Sequence, residues 1–90
     1  MGNELPFIEV SLSGSFYERI FSSSLKEDDL KWHWDEEDRI ISPIGETDWK
    51  FQFDNELPIE IGGEIKIEKG RWHRIIKGSG DLKIKVLKIK

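Results

Sequence analysis

Apolar and polar residues alternate with a period of two along most of this chain, the spacing of half-buried β-strands. Leu82-Lys83-Ile84-Lys85-Val86 alternates without interruption; the phase then slips by one at Leu87 before Ile89, which reads as a bulge or a fraying strand end. Trp49-Lys50-Phe51-Gln52-Phe53 places three aromatics on one face, and Ile65-Lys66-Ile67 and Trp72-His73-Arg74-Ile75-Ile76 form two further strands. Phe7 to Leu12, Phe16 to Phe21, Leu30 to Trp34 and Arg39 to Ser42 carry weaker versions of the pattern. Ser13-Gly14, Asp54-Asn55, Gly62-Gly63, Lys69-Gly70 and Gly78-Ser79-Gly80 supply turns between them. One helical turn is predicted, where Ser24 and Glu27 make a capping-box pattern ahead of Asp28-Asp29-Leu30. About eight short strands with glycine-rich turns predict an all-β sandwich or barrel.

The 90 residues predict one domain, 1–90, with no internal repeat or linker. Only 37% of residues are apolar, but five Phe, four Trp and one Tyr bring large buried areas to a thin core. No cysteine is present, which excludes disulfides and thiolate metal ligands. Met1-Gly2-Asn3-Glu4-Leu5-Pro6 lacks the basic and apolar regions of a signal peptide, and no apolar run reaches the roughly 20 residues of a membrane span. A soluble cytoplasmic protein without a membrane partner is expected.

Charge is divided unevenly. Residues 1–61 carry 15 acids against 5 Lys/Arg, and residues 62–90 carry 3 acids against 9 Lys/Arg. Lys83, Lys85, Lys88 and Lys90 have the placement of a strand's solvent face and protected edge, so no nucleic-acid partner is expected from this basic stretch.

Two segments carry candidate chemistry. In His33-Trp34-Asp35 the imidazole and carboxylate share a strand face while Trp32 and Trp34 take the other; in Gly70-Arg71-Trp72-His73 the imidazole shares its face with Arg71 and Ile75. Two imidazoles and one carboxylate are ligand types that divalent iron, manganese or zinc accept. Arg39 is the rival, because an ion pair would satisfy the nearby acids without a cation. Trp49 reads as core wall or pocket edge, and the face carrying Lys50 and Gln52 is lumen or solvent depending on register. The serines have no neighbouring histidine or nucleophile elbow, and Gly78-Ser79-Gly80 is no phosphate-binding fingerprint.

The segment from Trp32 to Gly80 resembles a small single-domain cupin. The second cupin motif is matched at every spacing: Gly62, five residues, Glu68-Lys69-Gly70, two residues, His73, with Glu68 standing where proline is usual. The first motif is matched more loosely by His33-Trp34-Asp35, Asp38 and Gly45; Asp35 replaces its second histidine, and the gap before the acid is one residue short. Trp32, Trp49 with Gln52 and Asp54, Leu57-Pro58, and His73-Arg74 with Gly78, Gly80 and Leu82 are similar to short cupin-like proteins of phage and marine genomes.

The resemblance implies a cupin-type double-stranded β-helix, the jelly-roll barrel, with its motifs in region 32–80. Carried over by position, His33, Asp35, Asp38 and His73 are the implied ligands of one divalent metal (Fe, Mn or Zn), and the His33, Asp35 and His73 set among them is similar to the facial triad of non-haem iron oxygenases. Arg39, Gln52 and Trp49 are the candidate substrate-binding residues. Expected functions are small-molecule or oxygen chemistry at that metal, metal-free binding of a sugar-like ligand on tryptophan platforms, or a structural barrel without catalysis. Cupin-like proteins commonly dimerise, so a homodimer through Phe7 to Leu12 is expected.

Overall fold

The computed structural model describes residues 6–89; the leader reading at Met1 to Leu5, and Lys90, lie outside them. Eight strands follow in chain order: β1 (Ile8–Ser13), β2 (Phe16–Phe21), β3 (Asp38–Pro43), β4 (Lys50–Phe53), β5 (Ile59–Glu60), β6 (Ile65–Ile67), β7 (His73–Ile76) and β8 (Leu82–Ile89). The five-stranded sheet has the order β1-β2-β8-β3-β6, the three-stranded sheet β5-β4-β7, and every pairing is antiparallel. A single 3-10 turn, Glu27–Asp29, is the only helical element among the described residues.

Alternation positions the core. In β8, Leu82, Ile84 and Val86 are buried while Lys83 and Lys85 are exposed, and the same parity turns Phe21 of β2, Ile41 of β3 and Ile65 and Ile67 of β6 inward. The opposite sheet contributes Trp49 and Phe51, both fully buried. Burying side chains of this size contributes about 1.5–3 kcal/mol each, so the space between the sheets is where this small chain's stability is concentrated. Trp49 packs against Phe21 with ring centroids 6.1 Å apart, and its indole Nε1 donates to the Gly80 carbonyl at 3.1 Å.

Several expectations shift in detail. The phase slip at Leu87 is no bulge: β8 runs regularly to Ile89, with Leu87 paired to both Phe16 and Ile40, and Ile89 paired to Asp38. The slip records apolar residues on the sheet's outer face. The irregularity lies instead in β1, between Ser11 and Ser13. The predicted cap at Ser24 moves to Lys26, whose N–H donates to Asp29 Oδ2 at 3.0 Å. The segment from Leu30 to Trp34 forms a single bridge, at His33, rather than a strand.

Candidate metal centre

The bridge at His33 builds the site. The main chains of His33 and His73 exchange two hydrogen bonds, His33 N–H to the His73 carbonyl at 3.0 Å and His73 N–H to the His33 carbonyl at 2.9 Å. Directly opposed residues send their side chains to one face, so both imidazoles project together. Their centroids are 4.2 Å apart at an interplanar angle of 64°. Asp35, two residues on, keeps that face, and one ligand atom from each of His33, Asp35 and His73 lies within 4.8 Å of the others.

A turn locks this arrangement. Arg71 N–H closes on the Glu68 carbonyl at 3.0 Å, and Gly70 sits at φ 80°. A type II turn requires that conformation at its third residue, and glycine adopts it without a Cβ penalty. Gly70 N–H then donates to the Asp35 carbonyl at 2.9 Å, and Lys69 N–H to Asp38 Oδ1 at 2.8 Å. Asp38 therefore clamps the turn that carries His73 to the loop that carries Asp35. It stands outside the three-residue cluster and does not line the cavity.

The proton positions follow from the backbone. His73 Nδ1 lies 2.7 Å from the Arg71 carbonyl and His33 Nδ1 lies 3.3 Å from the Lys31 carbonyl. A carbonyl only accepts, so each Nδ1 carries the hydrogen and each neutral imidazole keeps its lone pair on Nε2. His73 Nε2 stands 3.4 Å from Asp35 Oδ2, and that oxygen is buried with no hydrogen-bond partner among the described residues. Two lone pairs facing each other in a buried site leave a gap that a cation or a proton fills. Ligands at about 2.1 Å from one ion are themselves about 3.0–3.4 Å apart, so the 3.4 Å between His73 Nε2 and Asp35 Oδ2 fits two ligands of one metal.

The electrostatics favour ligand forms. Burial pushes the His33 imidazole below its ordinary value of 6.5 and the neighbouring His73 adds to this, outweighing the Lys31 carbonyl and Asp35. For Asp35, burial works against the charge, but His73 and the Arg39 guanidinium prevail and hold the carboxyl below its ordinary 3.8. Arg39 Nη1 lies 3.2 Å from Asp35 Oδ1, while its Nε is tied to Glu37. The expected ion pair thus exists, but it occupies one carboxylate oxygen and leaves the other for the imidazoles.

The cluster borders a cavity of about 390 Å³ between the sheets. Phe51 forms its floor and stacks on the His73 ring at 5.5 Å and 17°. Of the three residues read as substrate-binding, Arg39 lines it, whereas Trp49 and Gln52 do not. Trp49 is core wall, and Gln52 lies on the opposite face of β4, where it accepts from Arg74 Nε at 2.9 Å and donates to the Glu56 carbonyl at 2.8 Å. Trp32, Trp34 and Trp72 are exposed and lie outside the cavity lining. Sequence reasoning passed over Arg19, which lines the cavity from β2; its signal was a charge on the apolar face shared by Tyr17 and Phe21.

No family model matches the sequence, and no curated protein matches it. Solved structures do resemble the fold. The iron(II) form of HppE with an alternative substrate superposes with a TM-score of 0.68 at 17% identity, over 99% of this chain and 52% of that one. Hydroxypropylphosphonic acid epoxidase from S. wedmorenis in complex with fosfomycin gives 0.64 at 17% identity, over 99% of this chain and 57% of that one. A cupin-2 domain protein from Shewanella frigidimarina gives 0.63 at 13% identity, over 100% of this chain and 85% of that one. The chain spans about half the length of the chains in the first two of these structures. With two facing antiparallel sheets, one 3-10 turn and these neighbours, the chain has the all-β cupin-type jelly-roll fold.

Proposed function

We propose that this protein binds one divalent metal through His33, Asp35 and His73, and presents it to a small molecule entering the cavity. The observation that carries this reading is the buried, unpartnered Asp35 Oδ2 facing the lone pair of His73 Nε2. Two imidazoles and a carboxylate favour iron, manganese or zinc, and the iron(II) bound by HppE supports iron as the first metal to try. Three ligands leave coordination positions open, where such an ion supplies Lewis-acid or, as iron, redox chemistry. The chain's own residues hold the site in shape. The Arg71 and Lys31 carbonyls fix the imidazole tautomers, Arg39 neutralises the outer side of Asp35, and Phe51 backs the His73 ring. Kinship with the short phage and marine cupin-like proteins rests on sequence alone, in the residues around Trp32, Trp49, Leu57-Pro58 and His73.

Metal analysis of protein purified without added metal, repeated on His33→Ala and His73→Ala, tests the reading. Near-stoichiometric metal in the parent, lost in both variants, is the expected result. Metal content unchanged by either substitution, or no uptake from excess iron, manganese or zinc, overturns it.

A homodimer is proposed with the same fold. Ile8, Val10 and Leu12 form an exposed apolar row on the edge strand β1, which supports pairing with a second copy.

A further inference from the structure

The two arginines that line the cavity are not equivalent. Arg39 is engaged on both sides, by Asp35 and by Glu37. Arg19 uses only its Nε, which pairs with Glu9; among the described residues its two terminal nitrogens donate to no protein acceptor. A guanidinium carries five N–H donors, and the edge left free here has the two parallel donors that take a carboxylate side by side. The group is also held in place. Its side chain is 13% exposed, and its Cζ lies 4.2 Å from the centroid of the Phe7 ring, which fixes the plane of the fork. A half-buried, preoriented cation with an unused edge is poorly explained by stability alone, since a single ion pair seldom compensates for partly desolvating it.

Apart from its charged groups and the two histidines the lining is apolar, with Phe7, Phe21, Ile41, Phe51, Ile67 and Val86 in it. Arg19, Lys31 and Arg39 stand with Glu9, Asp29, Asp35 and Glu37 in or beside this space. Three cations against four carboxylates leave one negative charge, and a divalent ion turns that into one positive charge. A monoanion balances it; a dianion overshoots.

We propose that Arg19 is the ligand anchor of this cavity, gripping the carboxylate of a small monocarboxylic acid with an apolar body. The charge balance rests on the metal reading above, but the grip of Arg19 does not.

Titration calorimetry with 3-methylbutanoate, 3-methylbutan-1-ol and 2-methylpropylphosphonate, on cobalt(II)-loaded and metal-free protein, tests the assignment. The carboxylate is expected to bind at least tenfold more tightly than the alcohol and the phosphonate. Arg19→Gln is expected to weaken it at least tenfold with cobalt content unchanged, and Arg19→Lys to restore part of the loss. Glu9→Gln, on the edge strand, releases the Arg19 Nε and is expected to tighten carboxylate binding; this arm decides the matter if Arg19→Gln fails to fold. Equal binding of acid and alcohol, no carboxylate binding at millimolar concentration, or no response to either the Arg19 or the Glu9 substitution overturns the anchor. Tighter binding of the phosphonate at a pH where it is a dianion overturns the monoanion assignment. Failure to take up cobalt defeats the metal reading instead, and the Arg19 and Glu9 comparisons on metal-free protein still decide the anchor.

Discussion

His73 Nε2 faces Asp35 Oδ2 across 3.4 Å, while the imidazole's hydrogen is committed on the other side of the ring to the Arg71 carbonyl. Both facing atoms are acceptors in the neutral-imidazole state, so the contact is repulsive until something positive enters it. This makes the pair a sensitive place to separate metal binding from folding.

Asp35→Asn replaces Oδ2 with a group able to donate to His73 Nε2. The metal-free variant is expected to keep most of its stability, because the amide supplies the missing donor. Metal affinity should fall by more than the roughly 10–100-fold typical of losing a supporting partner, since a ligand itself is lost. Thermal unfolding with and without metal measures both effects. The parent should gain about 2.7 kcal/mol at a metal concentration of 100 times Kd, and the variant almost nothing at that same concentration.

Asp38→Ala distinguishes a clamp from a ligand. Its carboxylate accepts from Lys69 N–H, and removing a hydrogen bond to a charged group costs about 1.5–3 kcal/mol. Stability should fall by this order, while metal content at saturating metal stays near that of the parent. Loss of metal in a variant that remains folded would make Asp38 a ligand after all.

Acid should destabilise the metal-free protein in two steps. The folded state resists protonating His33, whereas the unfolded chain takes up that proton near 6.5, so stability declines as pH falls below 6.5. Asp35 is depressed below 3.8; its contribution is present above 3.8 and is lost as pH falls further, through the depressed value. Metal binding requires the neutral imidazoles and should weaken over the first step. Urea midpoints measured from pH 8 to pH 3 check the sequence of events.

Val10→Lys places a charge in the middle of the exposed β1 row. Sedimentation should show the parent as a dimer and this variant as a monomer, with metal content unaltered because Val10 lies outside the cavity lining.

The strand pattern made most of this fold readable before any coordinates. Strict alternation in β8 and β4 identified Leu82, Ile84, Val86, Trp49 and Phe51 as one interior, and each of them is buried. Parity likewise put His33 with Asp35, and the glycine spacing around His73 marked its turn. Parity said nothing of Asp38, which was placed by motif position; two bends at Glu36 and Glu37 separate it from Asp35, and its carboxylate turns to Lys69 N–H. It was also silent on Arg19 and on the two histidines facing each other. Their meeting depends on strand pairing across forty residues of sequence, and alternation within a strand carries no information about its partner.

The paired main chains of His33 and His73 have a consequence for how the molecule reaches its fold. Sliding this bridge by one residue would exchange His33 for Trp34 on the inner face, separate the imidazoles and leave no ion site. A metal bound at this site would therefore proofread the pairing. It would add its binding energy only to chains that have closed in the correct register, and withhold it from near neighbours that hydrogen-bond almost as well.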